Sequence, residues 1–228
     1  MSLQYLPTLR KTDYRQFRLC KLNAPEFSHI KLLLFWPVFG LVFLSLERFR
    51  PHAAYHVMHC ALDDMIPFSE WALIPYLLWF AYLIGALAYT FFFDVPAFRR
   101  MMWFVIVTYT AATVIYFLYP TQQLLRPEVF ARDNALTRAV VWFYTFDTNT
   151  NVCPSLHVIG SASALFAIRD CPRFRKRAWQ MTSVILALCI SLSTVFMKQH
   201  SVLDVLCALP VCALGWWLCY GRTRRRCR

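Results

Sequence analysis

Two histidines and an aspartate carry the chemistry that this chain's residue types and spacing allow. His200 and Asp204 are four residues apart, so on a helix they share one face and can touch. A carboxylate bonded to one imidazole nitrogen fixes the tautomer and raises the basicity of the other nitrogen. A second histidine closes the run Asn151-Val152-Cys153-Pro154-Ser155-Leu156-His157, ahead of an apolar, small-residue stretch. Pro154 suits the first position of a helix, having no N–H to lose and a helical φ. That predicts unpaired amides at Ser155, Leu156 and His157, a cradle for phosphate at the positive end of a helix dipole. Two histidines, one with its own carboxylate, meet the needs of phosphoryl transfer through a phosphohistidine. One attacks phosphorus and the other protonates the leaving oxygen.

The elements that must position these groups are membrane helices. The chain has 228 residues, 59% hydrophobic, 17% aromatic and 16% charged, with its apolar residues in long blocks. Blocks of about 17–25 residues are long enough to span a bilayer. Six are predicted, near Ile30–Leu46, Trp71–Phe93, Met101–Tyr119, Ser155–Ile168, Trp179–Phe196 and Val202–Tyr220. The expected fold is all-α and polytopic, a single six-helix catalytic domain over residues 30–220. A basic arm (1–29) precedes it and a basic tail (221–228) follows it.

With both termini cytoplasmic, eighteen of the 24 Lys and Arg residues fall on the inner side, as the positive-inside rule requires. His157 and His200 then share the outer face. The net charge of +12 is topogenic and matches anionic lipid; no soluble basic module for nucleic acid is present. No cleavable leader is visible in the polar first thirty residues. The nine cysteines show neither metal spacing nor a paired disulfide pattern, and fit as small apolar fillers.

Other segments carry secondary candidates. His52, His56 and His59 would share one face if residues 47–70 were helical, with Asp63 placed to complete a metal site. The plainer alternative is an interfacial helix near the substrate headgroup. Arg126 precedes Pro127, which favours an extended backbone there; a guanidinium so held can grip phosphate bidentately. A short helix is expected around Arg138 to Tyr144. Gly160, Ser161, Ala162, Ser163 and Ala164 would let neighbouring helices approach closely.

Arg126-Pro127, then Pro154-Ser155-Leu156-His157, then Ser193 through His200 and Asp204 together resemble the type 2 phosphatidic acid phosphatase superfamily. The resemblance implies six helices around a metal-independent site that needs no cofactor. It implies His200 as nucleophile, Asp204 as its orienting carboxylate, His157 as general acid, and Arg126 and Ser155 as phosphate ligands. The substrate would be a lipid phosphate. Tyr119 stands where that family usually has a lysine, and Thr194 where it has an arginine; Lys198 is the expected substitute cation. Leu156 replaces a common glycine, as in the inositol phosphorylceramide synthase branch, which transfers headgroups. A non-catalytic lipid-binding or transport protein on the same fold is the alternative from another class.

Overall fold

The computed structural model describes residues 12–49 and 54–221. Its architecture is helical. Among the described residues, five segments are long and apolar enough to cross a membrane: Ser28–Arg48, Glu70–Phe93, Val95–Leu118, Arg177–Phe196 and Val202–Gly221. The chain is therefore a multi-pass membrane protein. The α-helical parts of these segments are α1 (Phe35–Arg48), α3 (Leu73–Phe93), α4 (Val95–Leu118), α7 (Arg177–Phe196) and α8 (Val202–Trp216). Short helices α2 (Ala61–Met65) and α5 (Ala135–Phe146) lie between them. The fourth apolar block forms α6 (Leu156–Asp170), only 15 residues long, which is short of a full bilayer crossing.

α6 is the packing centre, in contact with α3, α4, α7 and α8. Its small residues make this possible. At Gly160 an added Cβ would lie 2.8 Å from Trp79 Nε1 and 2.9 Å from the Tyr109 hydroxyl, so only glycine admits those rings. One buried cluster joins Tyr109, Tyr116, Ile159 and Ala208; a second joins Tyr82, Met101, Ala164 and Ile190. A third, of Leu73, Tyr76, Val140, Phe143 and Met197, fastens α5 across the ends of α3 and α7.

Two further contacts secure the opposite end of the bundle from His200. Arg99 and Arg100 lie inside α4, which starts at Val95 because Asp94 caps it through the Ala97 amide at 3.2 Å. Arg100 Nε then reaches Asp170 of α6 at 2.5 Å. The described part of the N-terminal arm is docked on the helices. Tyr14 donates to the Phe91 carbonyl at 2.5 Å and meets His29 Nε2 at 2.7 Å.

The segment between α1 and α3 is also not the expected helix. His56 and Val57 form a short strand, β1 (His56–Val57), parallel to β2 (Thr121–Gln122). His59 precedes α2 and bonds Asp64 at 2.8 Å, while His52 lies outside the described residues. The strand separates the side chains that a helix would have aligned. Among the described residues no group of three His, Cys, Asp or Glu side chains is disposed to hold a metal.

Candidate functional site

The turn between α7 and α8 carries His200. It closes because the Thr194 carbonyl accepts from both Gln199 N (3.0 Å) and His200 N (3.1 Å). α8 then starts at Val202 behind an N-cap serine, Ser201, and the Asp204 carboxylate folds back on the turn. Asp204 Oδ2 accepts from Ser201 N at 2.9 Å and from His200 Nδ1 at 3.1 Å. His200 stands before the helix and not on it, so the four-residue spacing closes through this buried cap. An ionised carboxylate only accepts, so His200 Nδ1 holds the proton and Nε2 keeps its lone pair. That lone pair faces His157, whose Nδ1 is 3.4 Å away.

His157 reaches this place from α6, whose entry is stapled from several sides. Tyr116 donates to the Pro154 carbonyl at 2.5 Å. Thr121 Oγ accepts the amides of Val152 (3.1 Å) and Cys153 (3.0 Å). Glu47, at the end of α1, accepts from Thr150 Oγ1 at 2.7 Å and Asn151 Nδ2 at 2.5 Å, which fixes the left-handed Asn151 (φ 51°). The His157 ring rests on Tyr76 and Trp79 of α3, with centroid separations of 4.4 and 4.6 Å.

Pro154 is not the first helical residue. Ser155 is the N-cap, and its amide donates to the Asp204 carbonyl at 3.1 Å. The cradle is therefore shorter than expected, its helical amides beginning at Leu156 and His157. Ser155 Oγ, in contrast, is buried without a partner among the described residues, so a donor remains at the helix mouth.

Arg126 lies beside the turn. Its Nε and Nη2 reach Gln199 Oε1 at 2.9 and 2.5 Å, Nη1 the Tyr144 carbonyl at 3.1 Å, and Nη2 the Asp147 carbonyl at 2.6 Å. Gln199 in turn donates to Asp147 Oδ2 at 3.0 Å, and Tyr76 donates to the same oxygen. Asp147, Gln199, Tyr76 and Trp79 thus join the sequence-derived set. Burial pushes the Asp147 carboxyl up, against the opposing pull of Tyr76, His200, Arg126 and Gln199.

Lys198 does not join the two histidines. Its ammonium donates to the carbonyls of Asp63 (2.6 Å) and Ile66 (2.5 Å) and is buried there. The structure thus places the ammonium expected to serve as a phosphate ligand against α2 and not beside the two imidazoles, on a backbone in the left-handed region (φ 54°). Tyr119 stacks on His56 at 3.9 Å, and Thr194 is buried with Oγ1 on the Ser191 carbonyl.

One imidazole from the α7–α8 turn, backed by a buried carboxylate, thus meets a second from the first turn of α6. Residues 100–228 match the model described as the PAP2 superfamily, and the chain belongs to that superfamily. No curated protein and no solved structure matches it. The superfamily's members are generally metal-independent phosphatases that act on lipid phosphates.

Proposed function

We propose that this protein is a membrane lipid phosphatase or phosphotransferase working through a phosphohistidine on His200. The carrying observation is the line Asp204–His200–His157, with contacts of 3.1 and 3.4 Å. The lone pair of His200 Nε2 forms a bond to phosphorus as the P–O ester bond breaks. His157, as general acid, gives its proton to the departing lipid alkoxide. It then takes a proton from water or an acceptor alcohol, which attacks phosphorus, breaks the N–P bond and returns His200. Asp204 keeps the His200 tautomer and balances the charge that develops on the ring. Ser155 Oγ, the Leu156 and His157 amides, and Arg126 after exchanging Gln199 are the proposed phosphate donors.

Donors built from protein make a metal unnecessary in this mechanism. In this reading α6 completes a six-helix bundle, with the site on the outer face and both termini cytoplasmic; the basic-residue asymmetry supports it. Leu156 in place of glycine keeps headgroup transfer, including from sphingolipid donors, beside hydrolysis. The test is to incubate purified protein, with and without chelator, with phosphatidic acid, phosphatidylglycerol phosphate, a polyprenyl diphosphate and a sphingolipid donor. Free phosphate and new phospholipids are both scored. The expected result is chelator-resistant turnover of at least one lipid, lost in His200→Ala. Binding of lipid without turnover of any of them supports the non-catalytic alternative.

A further inference from the structure

Asp63 is a charged side chain with no exposed surface, in a five-residue helix far from His200 in sequence. Every bond it makes concerns the turn or the start of its own helix. Oδ2 accepts from Ser201 Oγ at 2.5 Å and from Cys60 N at 2.8 Å, and Oδ1 accepts from Val202 N at 2.8 Å. Lys198 returns the connection, two residues before His200. Its backbone sits in the left-handed region at φ 54°, which is costly for a residue with a Cβ. The two bonds from its ammonium to the Asp63 and Ile66 carbonyls help hold it there. The residues between α7 and α8 are thus gripped on both sides of His200 by one short element.

We infer that α2 is a clamp and that Asp63 and Lys198 are positioning residues for His200. The inference rests on the phosphohistidine reading above. Its physical basis is a division of acceptors at the start of α8. The first amides of a helix seek acceptors, and two buried carboxylates stand there. Asp63 takes the Val202 amide and the Ser201 hydroxyl, which leaves Asp204 Oδ2 to the Ser201 amide and His200 Nδ1. Without Asp63 the released α8 donors have the buried Asp204 carboxylate beside them, whose Oδ1 has no partner among the described residues, and a bond formed there would turn the carboxylate away from His200. Without the Lys198 anchor the left-handed turn relaxes and carries His200 with it.

The test uses full-length protein in detergent with a short-chain phosphatidic acid in mixed micelles. Asp63→Asn, Lys198→Met and Lys198→Gly are compared with wild type and His200→Ala. Lys198→Gly is the informative change, because glycine relieves the left-handed backbone while removing the anchor. The expected result is a fall in kcat on the order of a hundredfold, as for a small misplacement of a reacting group. In Lys198→Gly, KM and the unfolding temperature should stay near wild type, whereas Asp63→Asn should also lose stability. In parallel, 15N-histidine NMR should show the downfield Nδ1–H proton of His200 in wild type and its loss in the Lys198→Gly protein; this readout needs no turnover.

Kcat within about twofold of wild type in all three, with His200→Ala dead and the His200 proton intact, overturns the clamp and leaves the phosphohistidine reading standing. Full turnover by His200→Ala removes that reading and the clamp's purpose with it. Should Asp63→Asn not fold, the two Lys198 variants decide. A loss of folded protein with unchanged kcat in what folds marks α2 as structural only, which also overturns the inference.

Discussion

His157 Nδ1 lies 3.4 Å from His200 Nε2, too close for a phosphorus atom and its leaving oxygen to stand in line between them. One ring must yield when substrate enters. His200 is tied to Asp204 at 3.1 Å, whereas His157 lies on the faces of Tyr76 and Trp79. His157 is therefore the ring expected to move, sliding over Trp79, and Trp79 is backed by Gly160.

That relationship makes Gly160 a sensitive position. A methyl there would press Trp79 Nε1 at 2.8 Å and Tyr109 at 2.9 Å. Overpacking of this kind costs about 1–3 kcal/mol, and the displaced indole bears on His157. Gly160→Ala should lower both the unfolding temperature and kcat. Gly85 has no atom within 4 Å of an added Cβ, so Gly85→Ala is the control and should keep both. Equal behaviour of the two variants in thermal unfolding and turnover refutes the coupling.

Arg126 and Gln199 give a second prediction. Both edges of the guanidinium are occupied, one by Gln199 Oε1 and one by the Tyr144 and Asp147 carbonyls. If phosphate replaces Gln199, removing the amide lightens that exchange. Gln199→Ala should bind vanadate several-fold more tightly than wild type, and Arg126→Ala more weakly, by about tenfold or more for a lost charge-assisted pair. Inhibition curves measure both. Unchanged vanadate affinity in both variants, with lowered stability, makes Arg126 a staple of the 126–147 segment instead.

The difference between what was legible in the sequence and what was not follows from the length of chain that each contact spans. The apolar blocks were readable because their length matches a bilayer; the His200–Asp204 contact was readable from their short separation, but it forms because the carboxylate folds back from the start of α8 onto the turn, not across a helix face. The start of α6 was misjudged by a residue or two, since the Asp204 carbonyl captures the Ser155 amide from another helix. Asp63, Asp147, Tyr76 and Glu47 act across long stretches of chain, and no local pattern reports that. Lys198 shows the same limit from the other side: it stands two residues from His200, yet its side chain points to α2. The one available hint was an aspartate, Asp63, in a loop of a membrane protein, where an uncompensated buried charge is costly.

Asp63 also sets an acid sensitivity. Burial alone would raise its carboxyl, but the donors Ser201, Val202 and Cys60 outweigh burial and hold it below the ordinary carboxylate range. With the folded value below the unfolded one, its contribution to stability is full above about pH 4. That contribution is lost as pH falls through the folded value. The gap in unfolding temperature between wild type and Asp63→Asn should therefore narrow as the pH is taken from about 6 to about 3. A gap that stays constant over that range would show that Asp63 is not the titrating group.

The assignment of the two imidazoles rests on the proton inventory of the site. His200 has its Nδ1 proton fixed on Asp204, so its Nε2 is the free lone pair and the proposed nucleophile. His157 has no carboxylate contact among the described bonds and lies at the mouth of α6, where a leaving alkoxide would depart. A leaving group that needs no proton, such as p-nitrophenolate, should then partly rescue His157→Ala and never His200→Ala. Because His157 must also activate the incoming water or alcohol, His157→Ala should let the phosphoryl-enzyme from the activated ester accumulate. Mass spectrometry of the trapped protein should find the adduct on His200. Rescue of His200→Ala by the activated ester, or an adduct on His157, would exchange the two roles.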